Sequence, residues 1–268
     1  MKKVLTIAGS DSCGGAGIQA DLKTFGALGV YGMSVITAVT AQNTLAVTDV
    51  MEVSREMVTK QIQAIFEDIT VEAVKIGMVS NADIISEIKQ NLLNYKAHPI
   101  VLDPVMVSKS GYHLLRMEAV EALRDMLEIA DLVTPNIPEA EILAECSISN
   151  FEDMQKAAQF IQQAGAKNVL IKGGHRESDA TDLLLTQNGK FVFLTEEHIN
   201  TNHTHGTGCT LSSAIASYLA LGCSIETAIE QAKKYITLAI QNSFAIGHGV
   251  GPVGHYIDLY QKAGLHYA

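Results

Sequence analysis

The sequence has no tryptophan, only 5 prolines and an 18% share of charged residues. A chain with so few charges and with 47% hydrophobic residues carries enough apolar surface to form a core, which excludes intrinsic disorder. No apolar run approaches the roughly 18 residues of a membrane-spanning helix. The run at residues 4–9 is too short for a secretory signal. We therefore expect a globular protein with no membrane partner.

Positive charge and paired cysteines are also scarce. The 19 Lys and Arg residues are outnumbered by 29 Asp and Glu residues, which gives a net charge of −10 and argues against a nucleic-acid partner. An anionic ligand must then be held by backbone dipoles and a few placed cations. The four cysteines form no CxxC pair, which disfavours a zinc knuckle or a disulfide framework. A reducing, cytoplasmic location is the expectation.

Apolar runs alternate with amphipathic stretches along the whole chain. This alternation predicts an α/β fold with a mostly parallel sheet, helices on both of its faces, and a single domain over residues 1–268. Residues 181–195, with Asn188-Gly189 at their centre, predict a small antiparallel hairpin. The other predicted strands are residues 4–8, 34–41, 73–76, 98–102, 132–134 and 168–171, and the predicted helices are residues 17–28, 55–69, 81–93, 117–127, 138–144, 151–163, 207–221 and 225–244.

The segment at residues 204–210 combines two glycines with a predicted helix start. Backbone N–H groups converge at such a terminus, and the helix dipole favours negative charge there. This pattern indicates an anion site suited to a phosphoryl group in transfer. Cys209 lies in the first helical turn, where the dipole is expected to lower the pKa of its thiol and make it a base or a nucleophile. The alternative is a small packing residue beside a glycine cap.

Three charged residues follow predicted strands, where open parallel sheets bind their ligands. Asp103 and Glu139 are the best carboxylates for a magnesium ion held through waters. Either could equally cap a helix or lie on the surface. Lys172 follows another strand and could reach a nucleotide phosphate, or remain solvated. His203 and His205 have a spacing that zinc can use, but with no evident third ligand they are interpreted as loop histidines.

Six segments together are specific enough to identify a family. They are residues 5–12 (LTIAGSDS), 14–21 (GGAGIQAD), 37–44 (TAVTAQNT), 103–107 (DPVMV), 134–141 (TPNIPEAE) and 204–211 (THGTGCTL). The chain resembles the ribokinase-like vitamin kinases, and most closely the hydroxymethylpyrimidine and phosphomethylpyrimidine kinases of thiamine synthesis. The resemblance implies a ribokinase-like three-layer sandwich, with ATP and Mg²⁺ as cofactors. It also implies phosphorylation of the hydroxymethyl group of 4-amino-5-hydroxymethyl-2-methylpyrimidine and then of its monophosphate.

The resemblance also implies roles for individual residues, and it has two departures. Ile76 stands where the family usually has Thr, which puts substrate contacts in doubt, and Cys13 stands where Ser or Gly is common. Gln42 resembles the residue that reads the aminopyrimidine edge, with Asp21, Met78 and Val105 in the same pocket wall. Asn136, Glu139 and Lys172 resemble the ATP and magnesium group, Gly206, Thr207 and Gly208 the anion hole, and Cys209 the residue that faces the attacking hydroxyl.

Three other functions remain open from the sequence. A pyridoxal or pyridoxine kinase would also act on a hydroxymethyl group, although the Gln42 amide, which both donates and accepts, favours an aminopyrimidine. A thiol redox protein based on Cys209 would need a resolving thiol, and none is adjacent in sequence. A catalytically silent nucleotide-binding regulator is the third. In each kinase case the expected partner is a small-molecule pyrimidine or pyridine alcohol, and we also expect a homodimer.

Overall fold

Strands and helices alternate along the chain, as the hydrophobic pattern predicts. The computed structural model describes residues 1–107, 114–115, 117–173, 181–196 and 199–265. The strands are β1 (Lys3–Asp11), β2 (Tyr31–Gln42), β3 (Val47–Glu52), β4 (Ala73–Ile76), β5 (Ile100–Leu102), β6 (Leu132–Val133), β7 (Val169–Ile171), β8 (Asp182–Leu185) and β9 (Phe191–Leu194). The helices are α1 (Gly17–Ala27), α2 (Arg55–Phe66), α3 (Ala82–Asn94), α4 (Val120–Asp125), α5 (Ile137–Ala144), α6 (Phe151–Gln163), α7 (Thr207–Ala220), α8 (Ile225–Gln241) and α9 (Ile257–Lys262), with 3₁₀ turns at Met117–Ala119 and Met126–Ile129.

The strands form one sheet in the order β3-β2-β1-β4-β5-β6-β7-β8-β9. The six strands from β2 to β7 in this order run parallel, because helices connect them. β3 pairs antiparallel with β2 at one edge, and β8 and β9 form an antiparallel hairpin at the other. The mostly parallel sheet and its hairpin are therefore confirmed.

Both faces of the sheet are covered by helices. Successive side chains of a strand point to opposite faces, so Val4 packs in one core cluster and Leu5 in the other. The Val4 cluster includes apolar residues of α1, α7 and α8, and the Leu5 cluster includes those of α2 to α6. Buried apolar residues thus fill both sides of the sheet, which confirms the three-layer arrangement.

Local signals explain where several helices begin, and also where the predictions fail. The Asn81 side chain accepts the N–H of Ile84, so it caps α3 as expected. Residues 117–127 were predicted as one helix, but α4 is flanked by two 3₁₀ turns, which over a short segment have much the same hydrophobic spacing as an α-helix. β3 and α9 were not predicted, since β3 is largely exposed and α9 is only 6 residues long. Within the described parts of the chain, no helix is both long enough and apolar enough to cross a membrane.

Candidate active site

A cavity of about 760 Å³ lies at the carboxyl ends of the parallel strands, beneath the first turn of α7. Open parallel sheets bind their ligands at the carboxyl ends of the strands, because the strand-to-helix loops converge there. The cavity brings together every residue that the sequence and the resemblance assign to a site, except Asp21. Its wall includes Gln42, Met78, Asp103, Val105, Asn136, Glu139, Lys172, Gly206, Thr207, Gly208 and Cys209.

The loop before α7 presents backbone N–H groups to this cavity. Gly206 is the N-cap, with a φ of 81°, a left-handed conformation that glycine adopts without strain. A Cβ at Gly206 would overlap the carbonyl oxygen of Gly15, so the loop also needs the missing side chain to close. No side chain caps the first turn of α7, which leaves its N–H groups directed at the cavity.

A lysine and a carboxylate lie beside this loop. Lys172 Nζ donates to Asp103 Oδ1 at 2.9 Å, and Ser212 Oγ donates to Asp103 Oδ2 at 3.2 Å. A Cβ built on Gly208 would stand 3.5 Å from Lys172 Nζ and 3.6 Å from Asp103 Oδ2. Burial alone would lower the pKa of Lys172, but the charges of Asp103 and Glu139 outweigh it and hold that pKa above its ordinary value. Lys172 is therefore charged, and its ammonium adjoins the anion loop.

Glu139 and Asn136 form the N-terminal cap of α5. The Asn136 amide oxygen accepts the N–H of Glu139 at 2.8 Å, and the Glu139 carboxylate accepts the N–H of Asn136 at 2.8 Å. This reciprocal pair is a capping box, so both residues have a structural role in addition to lining the cavity. Burial, assisted by the negative charge of Asp103, raises the pKa of Glu139 to about 7 although Lys172 opposes the change.

These two carboxylates fit a hard divalent cation. Both offer oxygen ligands, the type that Mg²⁺ prefers. Burial is the main cause of the raised pKa of Glu139, and the charge of Asp103 contributes less; a divalent cation close to Glu139 would offset both by favouring the ionised carboxylate. The residues present are therefore compatible with Mg²⁺, held through waters.

Cys209 lines the cavity as expected, but the expected lowering of its thiol pKa is wrong. Burial raises the pKa of Cys209 to about 11, with Asp21 and Asp103 adding to the rise, and the nearby Lys75 ammonium offsets only part of it. Desolvation of the thiolate thus exceeds the benefit of the helix terminus. At neutral pH the group is a protonated thiol, which also removes the main support for a redox function.

A second polar cluster in the cavity surrounds Gln42. His205 Nε2 lies 2.9 Å from Asp11 Oδ2, and since an ionised carboxylate only accepts, the ring nitrogen is the donor. That nitrogen is 3.4 Å from the Gln42 amide nitrogen and has no lone pair to offer it, so the amide N–H groups remain for a ligand. Thr40 Oγ1 lies 3.0 Å from the Ser10 carbonyl oxygen and 3.2 Å from Gln42 Oε1, so its single proton is shared between the two acceptors and helps to orient the amide.

The sequence interpretation missed Asp11 and His205. His205 was interpreted as a loop histidine, yet its side chain is only 8% exposed and lines the cavity beside Asp11. Both residues lie inside segments that carry the family resemblance, at residues 5–12 and 204–211. Their position in these two family-specific segments is the sequence signal that identifies them as candidates.

The placement of Asp21 in the pocket wall is wrong. Asp21 is fully buried beneath the cavity, where both of its carboxylate oxygens lie 3.0 Å from Lys75 Nζ. Ser213 and Thr6 donate further hydrogen bonds to the same carboxylate at 2.7 and 2.6 Å. This carboxylate holds β1, β4, α1 and α7 together, and it is not among the residues that line the cavity.

The two departures from the family pattern also have clear places. The Ile76 side chain is buried in the core cluster that faces α2 and α3, and it is not part of the cavity wall. Cys13 is partly buried in the loop between β1 and α1, next to Asp11.

Comparisons with known proteins give the family context. The model of the phosphomethylpyrimidine kinase family matches residues 11–254. A hydroxymethylpyrimidine/phosphomethylpyrimidine kinase of Bacillus subtilis is 48% identical over 95% of this chain and 94% of its own length. The corresponding Haemophilus influenzae protein is 47% identical over 96% of this chain and 97% of its own length.

Solved structures agree with this context. A phosphomethylpyrimidine kinase of Clostridium difficile is 52% identical, with a TM-score of 0.80 over 90% of this chain and 100% of that one. The pyridoxal kinase of Bacillus subtilis, in an ADP complex, is 39% identical, with a TM-score of 0.89 over 95% and 97% of the two chains. The Staphylococcus aureus pyridoxal kinase with AMP-PCP and pyridoxal is 36% identical, with a TM-score of 0.87 over 96% and 94%. The ribokinase-like fold expected from the resemblance is confirmed.

Proposed function

The chain belongs to the phosphomethylpyrimidine kinase family and is a phosphotransferase, and from this premise we propose the reaction that it catalyses. It transfers the γ-phosphoryl group of ATP to the hydroxymethyl group of 4-amino-5-hydroxymethyl-2-methylpyrimidine, and then phosphorylates the resulting monophosphate in thiamine biosynthesis. The observation that supports the proposal best is that one cavity is lined both by Gln42, which we call its ring end, and by Lys172, Asp103 and Gly208, which we call its phosphoryl end. The reaction needs both a residue that binds the substrate ring and a group that binds the phosphoryl oxygens.

The phosphoryl end supplies electrostatic stabilisation. Transfer spreads negative charge over the phosphoryl oxygens, and fixed N–H donors at the start of α7 stabilise that charge without having to reorganise. The Lys172 ammonium, close to Gly208, adds a full positive charge. Asp103 and Glu139 would hold Mg²⁺ through waters, and the bound ion would neutralise phosphate charge.

Cys209 in this proposal faces the attacking hydroxyl and positions it. A thiol whose pKa is about 11 is protonated at neutral pH and therefore does not remove the hydroxyl proton before transfer. In a loose phosphoryl transfer the attacking oxygen becomes acidic only late, so its proton can leave to a phosphoryl oxygen or to water. Orientation by Cys209 and charge stabilisation by the α7 loop then account for the chemistry.

The ring end selects the substrate. The Gln42 amide, oriented by Thr40, offers N–H groups and an oxygen toward the cavity, the pairing that an aminopyrimidine edge presents. Met78, which is 8% exposed, and Val105 supply apolar contacts to the ring faces.

Pyridoxal is the second candidate substrate. The specific observation in its favour is the high structural similarity to two pyridoxal kinases, with TM-scores of 0.89 and 0.87. Its ring also bears a hydroxymethyl group, so the same phosphoryl end would serve it.

Mass spectrometry of the products tests both activities. Purified protein is incubated with ATP, Mg²⁺ and either the pyrimidine alcohol or pyridoxal. We expect a monophosphate and then a diphosphate from the pyrimidine, and at most a slower monophosphate from pyridoxal. A Gly208→Asp protein, expected to fold but to have little activity, is the negative control. Pyridoxal phosphate as the main product, with no pyrimidine diphosphate, would overturn the assignment.

The homodimer expected from the sequence is part of this proposal. Val39 and Met51 are cross-strand neighbours of β2 and β3 and are 42% and 67% exposed, so they present apolar surface at the sheet edge. A second copy of the chain could cover this surface. Light scattering of wild-type and Met51→Lys protein tests it, with a dimer expected for the first and a shift to monomer for the second.

A further inference from the structure

Three different metal-binding side chains meet beside the ring end of the cavity. The Asp11 carboxylate, the Cys13 thiol and the His205 ring each offer an atom, and these atoms all lie within 4.8 Å of one another. Asp11 comes at the end of β1, Cys13 from the loop that follows it, and His205 from the loop before α7. The proposed kinase reaction uses neither Cys13 nor this combination of groups.

Backbone interactions hold the three groups in place. Asp11 Oδ1 accepts the N–H of Cys13 at 2.8 Å, and Asp11 Oδ2 accepts those of Gly15 and Ala16 at 3.0 and 2.8 Å. Gly14, with a φ of 82°, turns the loop back so that Cys13 stays close to the carboxylate. His205 N–H donates to the Gly251 carbonyl at 3.0 Å, which fixes the second loop. Because the donors are already positioned, binding a cation would order little additional chain.

The donor set favours a borderline-soft ion. One sulfur, one imidazole nitrogen and one carboxylate oxygen suit Zn²⁺ and similar transition ions, whereas Mg²⁺ prefers oxygen ligands alone. Tetrahedral zinc, with bonds of about 2.0–2.3 Å, places its ligand atoms about 3.3–3.6 Å apart. Small side-chain adjustments bring groups that lie within 4.8 Å to that spacing.

We propose that Asp11, Cys13 and His205 form an inhibitory binding site for Zn²⁺ or a similar transition-metal ion. On binding, Cys13 releases its proton to water and ligates as the thiolate. His205 Nε2 gives up its hydrogen bond to Asp11, its proton moves by way of water to Nδ1, and the neutral ring ligates through Nε2. A water completes the tetrahedron. The Lys23 ammonium, which donates to the Gly14 carbonyl at 2.7 Å, is a nearby positive charge that limits the affinity.

The position of the site determines its effect. Asp11 and His205 line the cavity wall, and His205 lies against Gln42. An ion with its bound water at this point would occupy the space beside Gln42 that the ring of the alcohol needs, and neither Lys172 nor Gly208 is among its ligands. Inhibition would therefore compete with the alcohol substrate and not with ATP. This consequence rests on the proposed function, whereas the binding itself does not.

Cobalt titration tests the binding without reference to activity. Co²⁺ bound to a thiolate gives a charge-transfer absorption in the near ultraviolet, and we expect it to saturate at one equivalent per chain. Cys13→Ser should abolish the band and weaken Zn²⁺ binding by at least about tenfold, since even the loss of an outer-shell partner costs 10–100-fold. Cys223→Ser and Cys209→Ser are the matched controls and should keep the band. A band that persists in Cys13→Ser, or that disappears in Cys209→Ser, would overturn the site.

A kinetic arm tests the inhibition. Cys13 is outside the cavity wall, so Cys13→Ser should keep the wild-type rate in Mg²⁺ and ATP and lose the Zn²⁺ inhibition. In the wild type, raising the pyrimidine alcohol should relieve inhibition, and raising ATP should not. Inhibition relieved by ATP alone would contradict the placement. If the protein phosphorylates neither alcohol, the cobalt band still decides the metal site, so the two proposals fail separately.

Discussion

At the scale of single residues, Cys209 shows how a partly buried thiol at a helix N-terminus can be less reactive than one in water. With a pKa of about 11, roughly one thiol in ten thousand is ionised at pH 7. We predict that iodoacetamide modifies Cys209 slowly at pH 7 and that the rate rises about tenfold per pH unit up to pH 10, because only the thiolate reacts. Peptide mass spectrometry after timed quenching measures this rate.

Substrate complexes provide the control for that experiment. ATP with a pyrimidine alcohol should protect Cys209 at every pH, while Cys223, away from the cavity, should be modified at an unchanged rate. A rate that is already at its plateau near pH 7 would mean that the helix terminus outweighs burial after all.

Gln42 carries the second prediction at this scale. Gln42→Leu removes both the donor and the acceptor that face the ring, so kcat/KM for the pyrimidine alcohol should fall by about 10²-fold or more, as when a buried polar edge loses its partner. The loss for pyridoxal should be smaller. Gln90, an exposed residue of α3, supplies the control: Gln90→Leu should leave kcat/KM unchanged for both substrates. Equal losses for both substrates would make Gln42 a structural residue.

Some site residues can be recognised from the local sequence pattern, and others depend on partners that are distant in the chain. The sequence places Asp103 and Lys172 after the carboxyl ends of predicted strands and Gly208 in the glycine segment at a helix start. In the structure these residues line one cavity. Burial could not be inferred for Asp21, because its ion pair with Lys75 joins residues 54 positions apart in the chain. His205 was missed for the same reason, since its partner Asp11 is 194 positions away.

At the scale of elements, two glycines of the α7 loop should respond differently to substitution. A Cβ at Gly208 makes only ordinary contacts, so Gly208→Ala should fold normally. Gly208→Asp should fold too, but should lower kcat by about 10²–10³-fold, because its carboxylate enters the phosphoryl site. Gly206→Ala, in contrast, forces a left-handed φ and an overlap with Gly15, and should lower the free energy of unfolding by about 1–3 kcal/mol or more.

Steady-state kinetics and urea unfolding separate these effects. A Gly208→Asp protein with a normal unfolding midpoint and wild-type kcat would contradict the anion-loop assignment. A Gly206→Ala protein with unchanged stability would show that the loop relaxes without cost.

The elements themselves were predictable in proportion to their length and regularity. β4 and α6 have the predicted bounds, 73–76 and 151–163, since each has a clear apolar pattern and sharp ends. α8 ends at Gln241, three residues before its predicted end. β3 is mostly exposed, so it has no hydrophobic pattern by which to recognise it. Its pairing with β2 depends on tertiary structure, which no local sequence signal encodes.

At the scale of the whole molecule, the buried Lys75–Asp21 pair joins the centre of the sheet to two helices. Lys75→Met leaves a fully buried carboxylate without its cation, and we predict a loss of about 3–5 kcal/mol in the free energy of unfolding, measured by urea denaturation. The double variant Lys75→Met/Asp21→Asn removes both charges and keeps hydrogen-bonding groups for Thr6 and Ser213, so it should recover at least half of the loss. Equal instability of the single and double variants would show that packing, not charge, is what Lys75 contributes.

The direction of β1 has a practical consequence for joining this protein to another. β1 begins at Lys3 and reaches the cavity at Gly9, so the amino terminus lies about 20 Å away, at the amino ends of the parallel strands. A tag, a carrier or a surface-immobilisation linker attached ahead of Met1 would therefore leave the cavity mouth unobstructed. Amino-terminal fusions are the natural format for capturing this protein on a sensor chip while small molecules are passed over it.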